Sequence, residues 1–267
     1  MADPHSPSHN KLYILFFLKH YIMYYFIDLC CGFGAMTKAF ERTGLYHNVL
    51  AADTNENMQN LFSYLFNGRK PIGDIRDDET KRIINNTAYD VLIAGIAFME
   101  EEIFFNILDI LENDLPKAFV LELSSNTIDY SYISNIKLFC DKYGYHFVGL
   151  NDSLSNIDDI KLNLQDFGIP EYCERIYCVC IKKEWCRIQD PLWLQLNKKH
   201  DFNCYEYVEY DPENHVEQRR GVDWGFGDKF RFLPGTPDNA QETIIDLTTP
   251  MPMAASVALD LGSMMRR

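Results

Sequence analysis

The order of apolar runs constrains this chain more than any other feature of it. Residues 25–29, 49–53, 90–94, 118–121, 145–150 and 175–181 read as β-strands. Between them lie stretches with apolar residues at helical spacing: the one running through Phe40, then residues 57–66, 100–111 and 133–143. In 100–111 the side chains of Ile103, Phe104, Ile107, Leu108 and Leu111 share one face. Strands that alternate with helices predict an α/β sheet of mainly parallel strands with helices on both faces. A chain of 267 residues can bury such a core as one domain, or as one domain with a small insert.

Charge and cysteine usage narrow the function classes. The formal net charge is −14 and the sequence pI near 4.9. That is the wrong sign for a protein that grips duplex DNA mainly through Lys and Arg contacts to phosphates. Eight cysteines occur, without a CxxC pair or a zinc quartet, so no metal site is expected. They read as reduced, buried thiols of an intracellular protein, nuclear or cytoplasmic. Near the N-terminus an apolar stretch, residues 12–27, is broken by Lys19 and His20. It falls short of the roughly 20 residues a membrane span needs, and it lacks the flanks of a signal peptide. No membrane role is expected, and Met23 marks the start of the body.

Ligands bind parallel sheets at the carboxyl ends of the strands. The turn Gly32-Phe33-Gly34 ends the first strand, where a backbone must approach a ligand closely. Asp53 ends the second strand, where an acid can hold both hydroxyls of a ribose. Asp74, in Gly73-Asp74-Ile75, follows a further short strand and can accept a hydrogen bond from an adenine amino group. Together they point to an adenosyl cofactor. The same residues also suit a plain glycine turn with two helix-capping aspartates.

Asp28-Leu29-Cys30-Cys31-Gly32-Phe33-Gly34-Ala35-Met36 resembles the first motif of the DNA cytosine-C5 methyltransferases, which binds S-adenosylmethionine. Ala52-Asp53-Thr54-Asn55 and Gly73-Asp74-Ile75 resemble the second and third. Asp90-Val91-Leu92-Ile93-Ala94-Gly95-Ile96-Ala97-Phe98-Met99 is similar in position to the family's catalytic strand and loop. Phe119-Val120-Leu121-Glu122-Leu123-Ser124 resembles the strand that ends in Glu-Asn-Val. The stretch from Phe167 to Tyr177 is similar to Gly-Val-Pro-Gln-x-Arg-x-Arg, and Gly225-Phe226-Gly227-Asp228-Lys229-Phe230 to Gly-Phe-Pro-Asp-x-Phe. Thr249-Pro250-Met251-Pro252 faintly resembles the last motif. The resemblance implies a Rossmann-like class I methyltransferase sheet. It also implies S-adenosylmethionine held by Asp28, Cys30, Gly32, Gly34, Asp53 and Asp74.

The departures concern chemistry. In the family a cysteine thiolate adds to C6 of cytosine, because C5 is not nucleophilic until something does. Phe98 stands where that cysteine belongs. Glu122 keeps the place of the glutamate that stabilises the ring at N3, and Leu123 replaces the asparagine beside it. Glu171 and Cys173 replace a Gln and an Arg, so Arg175 alone survives of two arginines. Cys173 is the one alternative nucleophile near the site. The related RNA methylases take their cysteine from the strand that here reads Leu121-Glu122-Leu123-Ser124, which closes that route.

Four segments follow: an N-terminal extension (1–22), a methyltransferase body (23–184), a reduced target-recognition-like segment (185–222) and a C-terminal segment returning to the body (223–267). The third carries five basic and seven acidic residues, few cations for phosphate contacts. The expectation is therefore a protein that has lost catalysis. It can still hold S-adenosylmethionine, binds DNA weakly or not at all, and works through a protein partner. An active DNA or RNA methyltransferase with a displaced nucleophile, and a ligand-free assembly component, are the alternatives.

Overall fold

Apolar strands need cover on both faces, and this chain supplies it from helices on each side. The computed structural model describes residues 23–96, 101–124, 130–148, 160–167, 173–187 and 251–265. Strands β1 (Tyr24–Leu29), β2 (Tyr46–Ala52), β3 (Val91–Ile96) and β4 (Ala118–Ser124) are parallel, in the spatial order β2-β1-β3-β4. The short β5 (Tyr145–Phe147) and β6 (Lys161–Asn163) both pair antiparallel with β7 (Glu174–Lys182), which itself lies antiparallel beside β4.

Helices α1 (Ala35–Arg42) and α2 (Glu56–Leu65) pack on one face, joined by α6 (Met251–Met264). On the other lie α3 (Asp78–Asn85), α4 (Glu101–Asp114) and α5 (Tyr130–Tyr143). The helix boundaries have local causes. Asn55 caps α2, its side-chain oxygen accepting from the amides of Asn57 and Met58. After α5 the chain turns through Gly144 in the left-handed region, φ +74°, where a Cβ would be strained. On α4 the residues Phe104, Ile107, Ile110 and Leu111 are buried, whereas Ile103 and Leu108 of the expected stripe are only partly so.

The expected strand before Gly73 is a correction: among the described residues it reduces to one parallel bridge between Ala52 and Ile72. Ile72 makes both bonds of that bridge, its amide donating to Ala51 O at 2.8 Å and its carbonyl accepting from the Asp53 amide at 3.1 Å. β6 had no warning in the sequence, three residues being too few to show a period. Helix α6 docks against the body. Tyr46 donates its hydroxyl to the Ala258 carbonyl at 2.9 Å, and the Arg187 amide reaches Met264 O at 2.9 Å. Among the described residues no helix is long and apolar enough to cross a membrane.

Gly34 begins α1 at φ +93°, and its place in the packing is narrow. A Cβ there would lie 2.3 Å from a Phe66 ring carbon and 2.8 Å from Phe62, two stacked rings that cannot both retreat. Gly34→Ala is expected to cost about 3 kcal/mol, combining left-handed strain with overpacking. Urea unfolding of the variant measures it; a change below 1 kcal/mol would mean that the rings yield.

Candidate functional site

Three strand ends converge on one cleft of about 380 Å³. Cys30 and Gly32 reach it from the end of β1, Ala52, Asp53, Thr54 and Asn55 from the end of β2, and Gly95 and Ile96 from β3. The segment Gly73-Asp74-Ile75-Arg76 forms another wall, and Met58 and Ile103 contribute from α2 and α4. This is where a parallel sheet places its ligands.

The turn after β1 is wound tightly. Cys30 and Gly32 both adopt the left-handed region, at φ 56° and 54°. For Cys30 that conformation carries strain, which the surrounding bonds must hold. The Cys31 amide donates to Ala52 O at 3.0 Å, and the Gly32 amide to Asp53 Oδ2 at 2.8 Å. Nothing lies within 4 Å of a Cβ built on Gly32, so the cleft is open beside that backbone.

Asp53 thus joins two strand ends. Its Oδ1 accepts from the Asn55 amide at 2.8 Å. Burial pushes its carboxyl above the usual range, and the amides of Asn55, Gly32 and Thr54 pull it back. Two or three N–H bonds do not exhaust a carboxylate, which has about four lone-pair sites. Asp74 is held differently: Arg76 holds both its oxygens and keeps the carboxyl below the usual range. Arg76 also reaches Glu102 Oε2 at 3.3 Å.

Of the six residues that the resemblance assigns to the cofactor, Cys30, Gly32, Asp53 and Asp74 line the cleft, while Asp28 and Gly34 stand behind it. Gly34 meets aromatic rings instead. Asp28 is wholly buried, accepting the Thr37 hydroxyl on Oδ2 at 2.5 Å; its Oδ1 has no hydrogen-bond partner among the described residues. Arg76, Met58 and Ile103 carry no motif signal, although the i, i+2 spacing of Asp74 and Arg76 is visible in hindsight.

A second group lies across the sheet. Glu122 of β4 stands in register with Gly95 of β3 on one side and Tyr177 of β7 on the other. Arg175 Nε is 2.8 Å from Glu122 Oε1, with side chains 12% and 6% exposed. Burial works against the Arg175 charge, but Glu122, Cys173 and Tyr177 together outweigh it and hold the guanidinium above its ordinary value. Cys173 is buried, close enough to Arg175 for the two to interact electrostatically. Phe98 and Glu171 lie outside the described residues, as do residues 188–250 with most of the segment assigned to recognition.

Asp28 sits between the two groups and feels the charges of both Asp53 and Glu122. Burial pushes its carboxyl up from 3.8 to about 7, against the bonds from Thr37. A folded-state value above the unfolded one stabilises the protein fully below about pH 4, and the contribution is lost as the pH rises through 7. The gap is worth roughly 4 kcal/mol at most. Asp28→Asn is therefore expected to flatten the fall in stability between pH 5 and 8, read from urea midpoints. A variant that falls as steeply as the parent would place the titrating group elsewhere.

Residues 24–97 match the family model described as C-5 cytosine-specific DNA methylase. The type II methyltransferase M.HaeII of Haemophilus aegyptius is 32% identical over 167 residues, covering 57% of this chain and 49% of that protein. M.HhaI of Haemophilus parahaemolyticus is 26% identical over 206 residues, covering 72% and 58%. The chain spans about half the length of the curated relatives it matches. The S. pombe Dnmt2 methyltransferase structure superposes with a TM-score of 0.65 at 13% identity, over 89% of this chain and 98% of that one. The Entamoeba histolytica methyltransferase EhMeth gives 0.62 at 13%, over 90% and 98%. These likenesses show the fold, that of a Rossmann-like class I methyltransferase.

Proposed function

We propose, from the premise that residues 24–97 belong to the C-5 cytosine-specific DNA methylase family, that this protein is a pseudoenzyme: it keeps the adenosyl cleft and lacks the covalent chemistry. The observation that carries this reading is Phe98 at the nucleophile position of an otherwise ordered set of motifs. A phenyl ring cannot add to C6 of cytosine, and without that addition C5 does not take a methyl group. Glu122 and Arg175 keep the places of the family's glutamate and of one of its arginines, but position 98 no longer supplies a thiolate.

The cleft suits S-adenosylmethionine. The open space beside Gly32 accepts close approach, and Asp53 retains acceptor capacity for ribose hydroxyls. Met58, Ile96 and Ile103 offer an apolar wall for a purine. When bound, the cofactor supplies an electrophilic methyl group; this chain's residues hold and orient it. With a charge of −14 the expected partner is a protein, and binding to bare duplex is expected to be weak.

A second reading has one observation in its favour: the electrostatic contact between Cys173 and Arg175 supplies the cation that a thiolate nucleophile needs. Incubation with S-adenosylmethionine and DNA containing 5-fluorocytosine separates the two. The pseudoenzyme forms no covalent adduct. An adduct that disappears in Cys173→Ala would establish the displaced nucleophile instead.

Calorimetry tests the cofactor independently. S-adenosylmethionine and S-adenosylhomocysteine are expected to bind the parent protein, and Asp53→Ala to lose at least tenfold in affinity while keeping its far-UV circular dichroism. Unchanged affinity in that variant would misplace the cleft. No heat with either ligand would favour a scaffold that uses the fold alone.

A further inference from the structure

Asp28 is a carboxyl group placed behind the cleft with one oxygen unused. It lies two residues before Cys30, which lines the cleft, and stands in register with Ala51 of β2 and Ile93 of β3. It is 0% exposed; Oδ2 accepts from the Thr37 hydroxyl, and Oδ1 has no hydrogen-bond partner among the described residues. Two acids face it: Asp53 on the wall of the cleft, and Glu122, in register with the cleft residue Gly95. Arg175 is engaged with Glu122. Burial pushes the Cys31 thiol and the Tyr177 hydroxyl far up, so neither carries charge near neutrality. On α1, Lys38 lies over the Phe66 ring and Glu41 is held by Arg69. Asp260 of α6 is two positions from Ala258, which meets Tyr46 at the far end of β2 from Asp28. Buried among acids, Asp28 titrates near neutrality, at about 7.

We infer that Asp28 is a specificity-determining residue that reads the charge on the ligand's sulfur, favouring the sulfonium of S-adenosylmethionine over the neutral thioether of S-adenosylhomocysteine. The inference rests on the adenosyl reading of the cleft proposed above. The two ligands carry the same hydrogen-bonding groups and differ by one methyl group and one positive charge, so polar contacts alone cannot separate them. The sulfur is one methylene away from the ribose ring. A ribose held at Asp53 therefore keeps the charge within range of Asp28, whose own carboxyl already feels Asp53. A buried carboxylate acts on that charge through a medium of low dielectric with little screening by salt. By linkage, the cation stabilises the ionised form of Asp28 and drives its proton into solvent. The sign follows. At pH 6 Asp28 is mostly neutral and the preference is weak; at pH 8 it is mostly ionised and the preference is strong.

Calorimetry with both ligands at pH 6, 7 and 8 tests it. In the parent protein the preference for S-adenosylmethionine over S-adenosylhomocysteine is expected to grow by about fivefold or more from pH 6 to pH 8. In Asp28→Asn it should change by less than about twofold. The ligands' own amino groups titrate alike with either protein, so they drop out of that comparison. Thr37→Val supplies a second variant should Asp28→Asn fail to fold. It removes the hydroxyl that holds Asp28 ionised, so the rise in preference should move to higher pH. A parent preference that is flat from pH 6 to pH 8 overturns the inference and leaves the cofactor reading intact. So does a rise that persists in full in Asp28→Asn, or one that stays in place in Thr37→Val. Failure of both ligands to bind the parent protein overturns the inference and the cofactor reading together.

Discussion

A sheet covered on both faces cannot leave a charge without a partner, and this constraint organises the whole molecule. β1, β3 and β4 are apolar nearly throughout, yet each polar residue within them has a specific holder or a specific cost. Glu122 is matched by Arg175 across an antiparallel pair. Asp28 is matched only by Thr37 and is pushed toward neutrality. The two carboxylates lie on the same face of the sheet, so the cleft at the strand ends and the ion pair beyond it share one buried polar layer. Gly95 makes the junction, because it lines the cleft and stands in register with Glu122.

The geometry also divides the polar residues into two groups. On the β1–β2 side, the left-handed turn at Cys30 and Gly32, the Asp53 bridge and the capped start of α2 form a connected hydrogen-bonded unit. On the β4–β7 side, Glu122 and Arg175 form a buried ion pair with Cys173 close to the guanidinium. A buried ion pair is costly to break from one side, by about 3–5 kcal/mol in general, which gives the Glu122–Arg175 pair a structural role independent of any chemistry.

Local signals made much of this legible in advance. A glycine turn at a strand end and an acid at the end of the next strand are short-range patterns, and Cys30, Gly32, Asp53 and Asp74 do line one cleft. Other features had no local signal. The reason for Gly34 lies in Phe62 and Phe66, about thirty residues away, and the distance between Leu45 and the C-terminal helix is set by Gly262, more than two hundred residues on. Arg76 was passed over because a basic residue two positions after an acid is common on any solvated loop.

By itself the sequence determined the class of sheet, the strand ends at which the cleft opens, and a phenylalanine at position 98. Those properties follow from apolar period, turn chemistry and side-chain identity, which are local. Only the tertiary structure decided what holds each acid. Asp53 ties two strand ends through backbone amides, Asp74 is held below its ordinary range by a guanidinium, and Asp28 is driven toward neutrality because burial denies it water. Each outcome depends on neighbours brought together by folding, and charge in a protein interior is governed by those neighbours rather than by the residue that carries it.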